Sequence, residues 1–86
     1  MERYELLKRI TFNPEIFGGK AIIRGRRLAV QHVLEMLAAG DTAESLIEAY
    51  DWLEPDDIRA CLLYASTVVG NEHFFAPVLA TSETAG

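Results

Sequence analysis

The stretch Arg9-Ile-Thr-Phe-Asn-Pro-Glu-Ile-Phe-Gly-Gly-Lys-Ala-Ile-Ile-Arg-Gly-Arg-Arg-Leu-Ala-Val30 decides the fold. Its first four residues, Arg9-Ile-Thr-Phe12, alternate polar and apolar, the period-2 pattern of a half-buried strand. Asn13-Pro14 signals a turn, and Gly18-Gly19-Lys20 a second break, because glycine accepts positive φ. Residues 21–24 (Ala-Ile-Ile-Arg) and 27–30 (Arg-Leu-Ala-Val) are short β-prone runs. Between them sits Gly25-Arg26, a pair suited to a two-residue type II′ turn. The expectation is a strand at 9–12 and a tight hairpin at 21–30.

Downstream, the period changes from two to 3.6. Val30, Val33, Leu34 and Leu37 share one helical face, and Gly40 stops that helix as the residue after its cap. Thr42 is an N-cap candidate for a second helix whose face is Ala43, Leu46, Ile47 and Tyr50. The third helix has the clearest start: Pro55 at its first position, with Asp56 and Asp57 where the helix dipole favours anions. Ile58, Cys61, Leu62, Ala65, Val68 and Val69 form its stripe, and Gly70 closes it. The short connections make the three helices neighbours. The sequence therefore predicts one mainly α domain over residues 1–79 with a small β part. It comprises a strand and hairpin at 9–30, three helices at about 31–70 in a helix-turn-helix-type bundle, and an apolar segment at 73–79. Residues 80–86 read as a flexible tail.

Half of the 86 residues are hydrophobic and 24% are charged, which is ordinary for a folded domain and excludes a fully disordered chain. The size also excludes a large enzyme with a pocket between two domains, and a core this small makes oligomerisation an expectation. A single cysteine, Cys61, allows no internal disulfide and fits a reducing cytosol. No stretch reads as a signal peptide or membrane span, so a cytoplasmic protein is expected. The net charge of −5 is unevenly placed. Residues 1–30 hold seven bases and three acids, +4; residues 31–86 hold one base, Arg59, and ten acids, −9.

The candidate chemistry is sparse. Gly18-Gly19-Lys20 lacks the first glycine and the hydroxyl residue of a phosphate loop, and reads as a turn. His32, His73 and Cys61 do not provide the four ligands of structural zinc. Cys61 sits on an apolar stripe, which is the place of a core thiol rather than a nucleophile. Asp56 and Asp57 are adjacent, so they do not face each other on a helix, and capping accounts for both. Nothing assembles a nucleophile, a base and oxyanion donors. Neither an enzyme nor a cofactor is expected.

Two features point to partners. Lys20, Arg24, Arg26 and Arg27 place four cations on the expected hairpin, and a two-stranded ribbon fits a DNA major groove. The competing account is that these arginines pair with acidic helices of the same chain or of a dimer mate. The helices themselves are poor candidates for DNA, since the second carries Glu44 and Glu48, and the third carries Asp56 and Asp57 against one base. Phe74, Phe75, Val78 and Leu79 form the second feature. This apolar segment either packs on the core or a dimer mate, or orders on contact with a partner as aromatic anchors.

The run 9–30, the helix ending Leu37-Ala-Ala-Gly40, and then Tyr50-Asp-Trp-Leu-Glu-Pro-Asp-Asp-Ile-Arg-Ala60 and Leu63-Tyr-Ala65 together resemble the domain of unknown function 433 family. Its pattern is a strand, Asp/Asn-Pro, Gly-Gly-Lys-Pro, Ile-Arg-Gly-Thr-Arg-Ile-Pro-Val, and three homeodomain-like helices. The likeness covers residues 9–66. Ala21 and Ala29 stand where the family commonly has proline, and Arg26 where it has threonine. The resemblance implies an antitoxin-type protein of a bacterial or archaeal toxin–antitoxin pair. Such a protein neutralises a PIN-like ribonuclease toxin by binding it and represses its own promoter; the sequence itself points to a homodimer formed through the extended N-terminal part. A stand-alone DNA-binding regulator working through the basic ribbon is the alternative, and a plain dimerisation module is a third.

Overall fold

The computed structural model describes residues 2–71. Seven elements follow one another: α1 (Arg3–Leu7), β1 (Ile10–Phe12), one turn of 3-10 helix (Phe17–Gly19), β2 (Ala21–Ile23), α2 (Val30–Ala38), α3 (Ala43–Ala49) and α4 (Pro55–Gly70). This is the mainly helical fold with a small N-terminal sheet that the sequence pattern predicts. Among the described residues, no helix is long and apolar enough to cross a membrane. The apolar segment with Phe74, Phe75, Val78 and Leu79 lies outside the described residues, as does the tail at 80–86.

The expected strand at 9–12 forms as β1, but its partner is β2. The two run antiparallel with Ile10 opposite Ile23, Thr11 opposite Ile22 and Phe12 opposite Ala21. The loop between them is set by Asn13 and Pro14. The Ile16 amide donates to the Asn13 carbonyl at 2.9 Å, and the Asn13 side chain accepts from the Glu15 amide at 2.9 Å, an Asx turn.

The hairpin expected at 21–30 is corrected in two respects. Residues 27–30 do not form a strand. They return beside β2 through one bridge, Ile22 with Ala29, and one bond from the Ile23 amide to the Leu28 carbonyl at 3.2 Å. Leu28 and Val30 enter the main core and Ala29 the smaller cluster behind the sheet, but Ala29 is already the N-cap of α2, its carbonyl accepting from the Val33 amide at 3.2 Å, so the helix starts before a second strand can extend. The turn is also displaced by one residue. The Arg26 amide donates to the Ile23 carbonyl at 2.8 Å, and the central residues Arg24 and Gly25 have φ of 46° and 71°. Positive φ at both positions is the type I′ form, whose twist matches that of the flanking chain.

The helix boundaries follow their caps. Gly40, with φ of 108°, ends α2 in a Schellman motif: its amide donates to the Leu37 carbonyl at 3.0 Å, and that of Asp41 to the Met36 carbonyl at 3.0 Å. Thr42 caps α3 reciprocally with Ser45, at 3.1 and 3.0 Å. Pro55 opens α4. Helix α1 is an addition to the elements read from the sequence. It has five residues, and Glu2 caps it by accepting from the Tyr4 amide at 3.0 Å. It packs against α4 and buries Leu6.

The core gathers Leu6, Ile10, Ile23, Leu28, Val30, Val33, Leu46, Leu53, Ile58, Ala60 and Cys61. The sheet is two-sided. Ile10 and Ile23 face this core, while Ile22 joins Ile16 and Ala29 in a smaller cluster behind it.

Candidate functional site

The most highly organised polar group is a carboxylate at the start of α4. Asp57 is the third residue of that helix and has no exposed surface. Its Oδ1 accepts from Arg24 Nε at 2.9 Å and from Arg9 Nη1 at 2.9 Å; its Oδ2 accepts from Arg24 Nη2 at 2.7 Å and from the Glu54 amide at 2.8 Å. Four donors satisfy the four lone-pair directions of a carboxylate. Arg9 also donates to Glu54 Oε1 at 2.8 Å, and Arg24 Nη2 to the Trp52 carbonyl at 2.9 Å. Burial pushes the Asp57 carboxyl up, but the bonds from Arg24, the Glu54 amide and Arg9 outweigh it and hold the group below its ordinary value.

This group joins three segments: the end of α1 with the start of β1, the type I′ turn, and the start of α4. Asp57 therefore does cap its helix, as the sequence predicts, and it also anchors the turn. Burying a carboxylate costs several kcal/mol unless it is paired and fully hydrogen-bonded, and here it is both.

The four cations expected on the hairpin separate into different roles. Arg24 is bonded to Asp57 and to the Trp52 carbonyl. Arg26 is exposed and stacks on the Trp52 ring, its guanidinium carbon 4.8 Å from the ring centroid. Lys20 donates to Gln31 Oε1 at 2.7 Å. Arg27 is exposed, and borders a shallow hollow of about 530 Å³ with Phe17, His32, Glu35, Asp41 and Tyr50. The tight turn thus presents Arg26 and Arg27 outward and turns Arg24 inward.

Opposite in sign is the surface of α2 and α3. Glu35, Asp41, Glu44, Glu48 and Asp51 are all exposed. None of them takes part in an ion pair among the described residues, where the pairs are Lys8 with Glu5, Arg9 with Glu54 and Asp57, Arg24 with Asp57, and Arg59 with Asp56. Glu44 and Glu48 stand one turn apart on the same face.

An open apolar groove of about 380 Å³ lies between α2 and the last turns of α4. It is lined by Val30, Leu34, Tyr64, Ala65, Val68 and Val69, with Lys20, Ala21 and Gln31 at its rim.

The remaining candidates are structural in their surroundings. Cys61 is fully buried, and burial, with the nearby Asp57 charge, pushes its thiol up to about 12. His32 accepts through Nδ1 from the Ala29 amide at 3.4 Å, the start of α2, and meets the Phe17 ring edge-on at 5.1 Å. Among the described residues, no group of three or more His, Cys, Asp or Glu side chains could hold a metal ion.

The joint pairing of Arg9 and Arg24 on Asp57 escaped the sequence reading. The signal was present: Asp57 precedes Cys61 by four residues, so it lies on the buried stripe of α4, and a carboxylate on such a stripe needs cations.

The chain is 38% identical over 56 residues to the uncharacterized protein y4eO of Sinorhizobium fredii (strain NBRC 101917 / NGR234). That stretch is 65% of this chain and only 25% of the relative, so the shared part is about a quarter of the relative's length. No solved structure matches the chain. The model of the DUF433 family, described as proteins of unknown function, matches residues 10–65, which span both strands, Arg24 and Asp57 and most of the three helices, while Arg9 lies one residue before the match. The chain belongs to the DUF433 family.

Proposed function

We propose that this protein acts by binding a basic protein partner, as an antitoxin masking a PIN-like ribonuclease, and that it carries out no chemistry of its own. The observation that carries this reading is how the charge is used. Arg9 and Arg24 are held by Asp57 and Glu54, whereas Glu35, Asp41, Glu44, Glu48 and Asp51 stand exposed on α2, α3 and their flanks without an ion-pair partner among the described residues. A ribonuclease that grips a polyanion carries cations where the RNA lies. A carboxylate-bearing helix face complements such a surface, steers its approach and occludes it.

A second reading, promoter binding through the turn, is favoured by the outward placement of Arg26 and Arg27. It must work with those two arginines and Lys20, since Arg24 is engaged by Asp57.

The test is co-expression with a PIN-like ribonuclease encoded beside this chain, scoring growth rescue and co-purification. The reading expects both, and expects Glu44→Lys with Glu48→Lys to weaken the complex about tenfold or more. Absence of rescue and of co-purification overturns it. A shift of promoter DNA that is lost in an Arg26→Ala, Arg27→Ala variant would then favour the regulator.

A further inference from the structure

Helix α4 outruns the core it belongs to. Its apolar stripe is fully buried at Cys61, but Val68 is 48% exposed and Val69 62% exposed. Together with Leu34, Tyr64 and Ala65 these residues line the groove described above. An apolar stripe that continues past the body of a domain calls for more chain to cover it.

The chain that follows is suited to that. Described residues end at Asn71, two positions past Val69 of the groove lining, and the sequence continues Glu72-His73-Phe74-Phe75-Ala76-Pro77-Val78-Leu79. We propose that Phe74, Phe75, Val78 and Leu79 of the same chain occupy the groove between α2 and α4. Three residues beyond Asn71 span about 10 Å when extended, comparable to the 8–10 Å between packed helix axes, so Phe74 can reach across from α4 to α2. A segment tethered two residues beyond Val69 competes at an effective concentration of about millimolar, which disfavours a second copy at ordinary protein concentrations. Pro77 lacks an amide proton, which suits a segment held by side-chain packing rather than by addition to the sheet. The groove is thus the seat of the chain's own C-terminal segment, and the acidic face of α2 and α3 is left as the surface open to others. This occupancy does not depend on the antitoxin reading.

Hydrogen exchange on the full 86-residue chain, read by mass spectrometry alongside sedimentation, tests it without any partner. The expected result is that the amides of 74–79 exchange about tenfold or more slower than in an unstructured peptide, to the same extent at every protein concentration. In Phe74→Asp with Phe75→Asp, that protection is lost and exchange at 65–70 quickens, while β1 and β2 are unchanged. Val68→Glu, altering the groove rather than the segment, frees 74–79 to the same extent. Unprotected amides at 74–79 in the wild-type chain overturn the proposal. So does protection that vanishes on dilution together with a dimer, because the occupant is then a second copy.

Discussion

Arg24 meets Asp57 as a fork, Nε to Oδ1 at 2.9 Å and Nη2 to Oδ2 at 2.7 Å, across 33 positions of sequence. The pairing fixes the type I′ turn against the first turn of α4, and so couples the sheet to the helices. Arg24 itself sits at a φ of 46°, a region that costs a non-glycine residue energy. The two bonds to Asp57 and the one to the Trp52 carbonyl offset that cost and hold the turn in place.

Removing the carboxylate should be severe. Asp57→Ala leaves two guanidiniums, whose side chains are 19% and 31% exposed, without their shared anion, and leaves the Glu54 amide without an acceptor. Breaking a buried pair from one side costs about 3–5 kcal/mol. The expected outcome is a loss of about 3 kcal/mol in urea unfolding, the low end because the arginines keep some water. A loss below about 1 kcal/mol would show that the group is not central to stability.

Lysine should not replace Arg24. A lysine keeps the charge but cannot form two parallel bonds to one carboxylate while donating to the Trp52 carbonyl. Arg24→Lys is expected to cost about 1–3 kcal/mol in urea unfolding. Arg26→Lys, which changes only an exposed cation stacked on Trp52, should stay within about 0.5–1 kcal/mol of the wild type. Equal effects at the two positions would contradict the distinction between an inward and an outward arginine.

Acid should find the same group. The folded Asp57 carboxyl lies below its ordinary value, so the unfolded chain takes up the proton first as pH falls. Its contribution is complete above the ordinary carboxylate range, near pH 4, and is lost as pH drops through the folded value. Stability of the wild type is therefore expected to fall below about pH 4 more steeply than that of Asp57→Asn. The limiting difference is about 1.4 kcal/mol per pH unit for one proton. Parallel pH profiles for the two proteins would assign the acid sensitivity to other carboxylates.

The sequence made the helices legible because their signals are local. Gly40, Thr42 and Pro55 mark ends by backbone chemistry that depends only on immediate neighbours, and each stands at the end it predicts. The strand pairing was less legible because it is decided by burial. Residues 27–30 have strand-forming side chains, but Leu28, Ala29 and Val30 are all drawn into the interior as the chain enters α2, and β2 pairs with β1 instead. Helix α1 escaped because a single turn of five residues has too few positions to show a period. The basic residues read as one cluster in the sequence have separate partners in the structure. Arg24 and Arg26 are two positions apart, and a turn with positive φ at Arg24 and Gly25 sends one inward to Asp57 and the other outward onto Trp52.

Cys61 provides a clean measure of how tightly α4 is held. Its thiol has no exposed surface and is pushed up to about 12, first by burial and then by the Asp57 charge. The thiolate is the reactive form, so both access and ionisation are suppressed in the folded chain. At pH 8 the native protein is expected to leave a thiol reagent such as dithionitrobenzoate unreacted over minutes, and to react fully within that time in concentrated urea. Reaction in native buffer should proceed only through opening of the domain. Asp57→Ala lowers the stability against that opening, so it should quicken labelling by roughly a hundredfold for a loss of about 3 kcal/mol. Rapid labelling of the wild type in native buffer would mean that the thiol is reached without unfolding, and would contradict the packing of Cys61 in the core.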